Sequence, residues 1–191
     1  YASSFDQIGF FTNSLADTQL LLSLTAGEDP YDATSSSLHN EVRTNLPEKL
    51  KIGVLAECLH HPGLDAEIKA KLLQTLADLR AKGHEIIEVS FPFLDYMVPT
   101  YYVLTTAEAS SNLSRYTGML YGKRSEKAHD LDSTYTMSRT EGFGEEVKRR
   151  IMLGTFVLSS DQYDAYYDKA QRVRQVIRTE TEKVLADVDA I

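Results

Sequence analysis

Between residues 51 and 91 an apolar run, a capped helical stretch and a second apolar run follow one another closely, and this order restricts the fold more than any other feature of the chain. Lys51 to Glu57 (KIGVLAE) suits a short buried strand. Asp65 then stands as an N-cap before Ile68, Leu72, Leu76 and Leu79, which recur at helical spacing until Gly83 ends the pattern. His84 to Phe91 (HEIIEVSF), rich in β-branched residues, predicts a second strand. Strand, helix and strand within about 40 residues make a βαβ unit, because parallel strands need a crossover of about this length. The crossover is right-handed by the twist rule, and the sheet is parallel or mixed.

On either side the pattern changes. Ser14 with Asp17 caps a short helix carrying Leu20, Leu21, Leu22 and Leu24 on a broad apolar face and closing at Gly27. Residues 29–45, with Pro30 and Ser35-Ser36-Ser37, predict a polar surface loop. From Val98 onward the spacing predicts helices over about 98–116, 144–158 and 160–187. Ser159 and Gln162 are placed for a capping box on the last of these, which at 1.5 Å per residue is roughly 40 Å long. Tyr163, Tyr166, Ala170, Val173, Ile177, Val184 and Val188 lie along one side of it. The expected fold is therefore α/β, with residues 1–97 as the α/β portion and residues 98–191 mainly helical.

At 191 residues the chain is long enough for one domain, or one plus a lobe, and can bury roughly 70% of its unfolded surface without disulfides or metals. A net charge of −8 argues against a global positive field that would hold nucleic acid without specificity. Cys58 is the single cysteine and can form no internal disulfide, which points to a reducing compartment. No apolar run approaches the ~18–20 residues that span a bilayer, and no signal peptide opens the sequence, so a cytoplasmic protein with no membrane partner is expected. The chain opens on Tyr1-Ala2-Ser3-Ser4-Phe5 and closes on Val184 to Ile191, apolar where termini are usually polar; the expectation is a stretch cut from something longer.

The chain carries no G-x-x-x-x-G-K-[ST] loop, no G-x-G-x-x-G, no H-E-x-x-H and no G-x-S-x-G elbow. Its five histidines, 39, 60, 61, 84 and 129, show no paired ligand spacing; His60-His61 before Pro62-Gly63 reads as an exposed turn, and no metal is expected. The polar run Glu108-Ala109-Ser110-Ser111-Asn112, following Pro99 and Tyr101-Tyr102, fits an interior helix that another backbone approaches closely, or a helix facing a cleft. In Glu145-Glu146-Val147-Lys148-Arg149-Arg150 the i, i+4 pairs Glu145–Arg149 and Glu146–Arg150 fit a solvated face. Alternatively one guanidinium turns inward to grip a carboxylate bidentately, and Arg150, next to Ile151 and Leu153-Gly154, lies close to the buried edge. Lys169, Arg172, Arg174 and Arg178 read as the charged outer face of the long helix, with tRNA contact a weak second.

Taken together, Ala2-Ser3-Ser4-Phe5-Asp6-Gln7-Ile8-Gly9, Pro99-Thr100-Tyr101-Tyr102-Val103, Glu108 to Arg115, Glu141 to Thr155 (EGFGEEVKRRIMLGT) and Asp164-Ala165-Tyr166-Tyr167-Asp168-Lys169-Ala170 resemble, in order and across essentially the whole chain, the A subunits of the glutamine-dependent tRNA amidotransferases, within the amidase signature family. The resemblance implies a mixed sheet flanked by helices, with residues 1–191 part of a single amidase domain. It implies a Ser–cis-Ser–Lys glutaminase that strips ammonia from glutamine through an acyl-enzyme. The ammonia serves the ATP-dependent conversion of Glu-tRNA(Gln) to Gln-tRNA(Gln), or of Asp-tRNA(Asn) to Asn-tRNA(Asn). Partners implied are subunits B and C, with misacylated tRNA reached through the complex; ATP and Mg belong to the complex, and this subunit needs no cofactor.

In such subunits the nucleophilic Ser, the cis-Ser and the Lys precede the A-S-S-x-D-Q-I-G phrase. No catalytic residue is therefore expected within these 191 residues, which alone should be inactive. The resemblance carries over two glutamine-binding positions. Arg150 would hold the α-carboxylate, and Tyr101 would wall the pocket or offer its hydroxyl. An acidic partner for the α-amino group would lie beyond Ile191. Phe10 departs from the family, which has Pro after Ile-Gly, and alters a turn. An amidase of other specificity and a non-catalytic interaction module are the competing readings; a buried guanidinium at 150 favours the glutaminase, since a fatty-amide or aryl-amide hydrolase has little use for one.

Overall fold

Ser14 accepts a hydrogen bond from the Asp17 amide at 3.1 Å and so starts α1 (Leu15–Thr25), as its sequence predicts. The helix ends when the Ala26 amide reaches the Leu22 carbonyl at 2.8 Å, one residue before Gly27, and none of its residues is buried. This helix belongs to a compact unit of residues 7–48; a second unit comprises residues 1–6 and 49–191. The computed structural model describes residues 1–33, 35 and 47–191. Most of the polar loop expected over 29–45, His39 included, lies outside the described residues.

In the larger unit the two apolar runs form β1 (Lys51–Leu55) and β2 (Glu85–Val89), which pair in parallel with Ile52 opposite Ile86. A short helix, α2 (Ala56–Leu59), follows β1, and α3 (Ala66–Ala81) makes the crossover. The Asp65 carboxylate accepts from the amides of Glu67 (2.9 Å) and Ile68 (3.2 Å) at the start of α3. At its end Gly83, at φ +92°, lets its own amide reach Arg80 and the His84 amide reach Leu79, a close that a side chain at residue 83 would strain. One carboxylate ties the ends of the two strands together: Glu57 Oε1 accepts from the Ser90 hydroxyl at 2.7 Å and the Phe91 amide at 2.8 Å. The far side of β1 is occupied too. Ala190 lies parallel to Ile52, its carbonyl accepting from Gly53 at 2.8 Å, while the Asp189 amide reaches Lys51 at 2.7 Å. Val188, buried, packs over Gly53.

The helical portion comprises α4 (Leu94–Leu113), α5 (Leu131–Gly142), α6 (Glu145–Val157) and α7 (Lys169–Asp187), with a π-helical turn over Asp164–Asp168 leading into α7. Several expectations are corrected here. Helix α4 starts at Leu94 rather than near 98, because Pro99 forfeits only one backbone donor in its second turn. Helix α5 is not predicted by any apolar repeat, since the residues it buries, Thr134 and Ser138, are polar. Ser159 and Gln162 form no capping box: the Ser159 hydroxyl turns back to the Phe156 carbonyl at 2.7 Å. The last helical stretch is accordingly a π turn followed by α7, and not one regular helix from 160.

The core lies where α4 crosses α6 and α7, around Leu104, Ala107, Ala109, Val157 and Ala170. Gly154 permits the closest approach: a Cβ there would sit 1.9 Å from the Thr106 carbonyl oxygen. Ser110 and Thr155 bridge the same crossing at 2.9 Å. The small-residue run of α4 thus serves the close helix contact that its composition suggested.

Candidate functional site

Residues 1–6 run across α4 and α6, held by polar contacts at nearly every residue. The Asn112 amide donates to the Tyr1 carbonyl (3.2 Å) and the Ser3 hydroxyl (3.0 Å), and Ala2 is fully buried. The Ser4 amide donates to Glu108 at 2.9 Å, and its hydroxyl donates to the other oxygen of the same carboxylate. From α7, Arg174 donates to the Ser4 hydroxyl at 2.8 Å and to the Ser4 carbonyl at 2.9 Å, with its guanidinium 4.3 Å from the centre of the Phe5 ring.

Against this segment stand the two adjacent tyrosines of α4 and the last arginine of the Lys-Arg-Arg triplet in α6. The Phe5 ring meets Tyr101 edge-on at 5.7 Å, and Tyr101 meets Tyr102 edge-on at 5.9 Å. Arg150 lies with its guanidinium carbon 5.6 Å from the Tyr102 ring centre and 5.7 Å from that of Tyr1. Its side chain is 27% exposed, so it is neither sealed in nor extended into bulk water. Arg150 Nε donates to Glu146 at 2.9 Å and Nη1 donates to the Tyr1 hydroxyl at 3.1 Å. Those bonds push the Arg150 pKa up, Glu146 contributing most and Tyr1 next, while the same Arg150 bond is the main reason the Glu146 carboxyl lies below its ordinary value. Nη2 has no acceptor among the described residues. A planar guanidinium with its side edge taken by Glu146, and with Nη2 unengaged beside the one Nη1–H directed at Tyr1, is suited to a carboxylate arriving end-on.

The ion pairs of α6 differ in part from those expected. Glu146–Arg150 forms, but Arg149 also turns to Glu146, and Glu145 pairs with Lys148 at 3.1 Å in place of Arg149. Tyr101 is one ring removed from Arg150, and Tyr102 is the tyrosine of the pair that lies against it. Arg172 and Arg178 make the surface pairs expected of an outer face, with Asp168 and Glu182, each at 2.8 Å. Arg174 does not, and its inward role corrects the reading of all four cations as solvated. Its position signals this: it stands four residues after buried Ala170 and three before Ile177, on the packed side of the helix. Tyr1, Ser4 and Phe5 carry no comparable signal, because the α4, α6 and α7 residues they touch lie about a hundred residues or more away.

A cavity of about 440 Å³ opens beside the segment, lined by Ser3, Ser4, Glu108, Ser111, Asn112 and Tyr163 among others; neither Arg150 nor Tyr101 lines it. Ser111 and Asn112 thus do face a cleft. Among the described residues no group of histidine, cysteine and carboxylate side chains could hold a metal ion, and no helix is long and apolar enough to cross a membrane.

A family model described as amidase matches residues 1–191. The chain is 48% identical over 196 residues to the glutamyl-tRNA(Gln) amidotransferase A subunit of Chlorobium chlorochromatii, covering 100% of this chain and 41% of the relative. It is 47% identical over 194 residues to the protein of the same name from Campylobacter jejuni subsp. doylei, covering 42% of it. The crystal structure of the glutamyl-tRNA(Gln) amidotransferase A subunit from Thermotoga maritima superposes with a TM-score of 0.66 at 32% identity, over 98% of this chain and 36% of that one. The chain spans about two fifths of the length of the curated relatives it matches.

Proposed function

This chain belongs to the amidase family, and from that premise we propose that its 191 residues are the glutamine-recognition part of the glutaminase subunit of a tRNA-dependent amidotransferase. The observation that supports the reading is Arg150, held against the rings of both Tyr1 and Tyr102 with Nη2 free. The aromatic faces fix the plane of the fork, and Glu146 fixes its rotation about Nε. The α-carboxylate of glutamine docks on the terminal nitrogens, and Tyr101 with Tyr102 walls its side chain. Desolvation by the rings strengthens that ion pair relative to an exposed one.

The reaction is acyl transfer. A serine hydroxyl attacks the glutamine side-chain amide, the C–N bond breaks and ammonia leaves; water then opens the resulting ester to release glutamate. The serine, the cis-serine and the lysine that moves protons belong to the remainder of the family's length. Ammonia passes to a partner protein, where ATP with Mg activates the γ-carboxyl of Glu-tRNA(Gln) or the β-carboxyl of Asp-tRNA(Asn). The complex joins the glutaminase to subunits B and C, and works in the cytoplasm with no cofactor bound to the glutaminase itself.

The test is Arg150→Lys in a full-length subunit carrying this stretch. Charge is kept and the fork is lost, so KM for glutamine rises at least about tenfold while kcat changes little. A KM within about twofold of the parent would return Arg150 to the solvated face.

A further inference from the structure

Resting on the glutamine reading of Arg150, we infer that Arg174 is a positioning residue for that site, acting from a different helix without touching the substrate. Its fork grips both the hydroxyl and the carbonyl of Ser4, at 2.8 and 2.9 Å, and its face covers Phe5 at 4.3 Å. Ser4 is thereby clamped between a cation on α7 and the Glu108 carboxylate on α4. Fixing Ser4 fixes the residues on either side of it. Downstream, Phe5 leans edge-on against Tyr101, Tyr101 against Tyr102, and Tyr102 lies against the Arg150 guanidinium. Upstream, Tyr1 supplies a second ring and a hydroxyl that accepts from Arg150. Both rings against the arginine thus depend on one short segment, and Arg174 is the cation that holds it down. The neighbouring Arg172 and Arg178 each answer a carboxylate on their own helical stretch and have no such task.

A single Nζ cannot reproduce this arrangement, since it lacks the planar fork and the flat face that Phe5 stacks on. In a full-length subunit carrying this stretch, Arg174→Met raises KM for glutamine about fivefold or more with kcat within about twofold, and Arg174→Lys recovers only part of the loss. Amide hydrogen exchange at Ser4 speeds up in Arg174→Met. Arg178→Met, which removes a surface pair from the same helix, leaves KM and the Ser4 exchange unchanged. The inference is overturned if Arg174→Met keeps KM within twofold of the parent, or if Arg178→Met shifts it equally. Arg150→Lys, measured alongside, separates the two levels. If it raises KM and Arg174→Met does not, only the positioning role is lost; if neither does, the glutamine reading has failed as well.

Discussion

Glu57 shows how one side chain can couple two strands and make the coupling depend on pH. Its carboxyl lies below the ordinary carboxylate value, chiefly because the Ser90 hydroxyl donates to it and next because the Phe91 amide does. The fold therefore favours the ionised form. The stabilisation is complete above the ordinary pKa and is lost as pH falls through the lowered one. Glu57→Gln should be less stable than the parent at neutral pH, and the gap should close only as pH falls below the ordinary carboxylate value. Denaturant unfolding across that range checks it; a gap that stays constant would remove ionisation from the account. The contact is not legible in the sequence, where Glu57 merely ends an apolar run. Arg150 is legible in part: the Lys-Arg-Arg triplet beside a buried helix edge marks it, but nothing local indicates that Tyr1 and Tyr102 lie against it. Arg174 is masked by the three other cations of its stretch, and only its phase relative to Ala170 sets it apart.

Among the elements, the βαβ unit is the most readable, since Asp65 and Gly83 are capping residues whose conformational reasons survive any context. Helix α5 is the least readable. It buries Thr134 and Ser138, and its cap is Asp130 exchanging hydrogen bonds with Ser133, so the apolar repeat that marks most helices is absent. The crossing of α4 and α6 gives the sharpest test at this level. Because a Cβ at Gly154 would press into the Thr106 carbonyl and the Ser110 side chain, Gly154→Ala should force the helices apart and cost about 3 kcal/mol or more. Gly142→Ala is the matched control, with nothing within 4 Å of its Cβ, and should be close to neutral. Calorimetric Tm values for the pair decide it; equal values would show that the crossing has slack.

For the molecule as a whole, the proposed reading assigns recognition to this stretch and attack to the remainder of the family's length. If these residues bind glutamine without supplying the nucleophile, the 191-residue chain incubated with glutamine releases no ammonia above the uncatalysed rate. Turnover in a coupled ammonia assay would instead place a nucleophile within it. The family and its α/β class are legible because the recurring phrases span the chain; the wiring between them is not, since sequence order says little about which distant phrases touch. The bonds from Arg174 to Ser4 span 170 positions, and those between Lys51 and Asp189 span 138. On a ribosome adding about 5–20 residues each second, Ser4 and Phe5 emerge on the order of ten to thirty seconds before the α7 arginine that will hold them. Until then the segment has only its α4 contacts to hold it, so the pace of translation sets how long it waits for the clamp from α7.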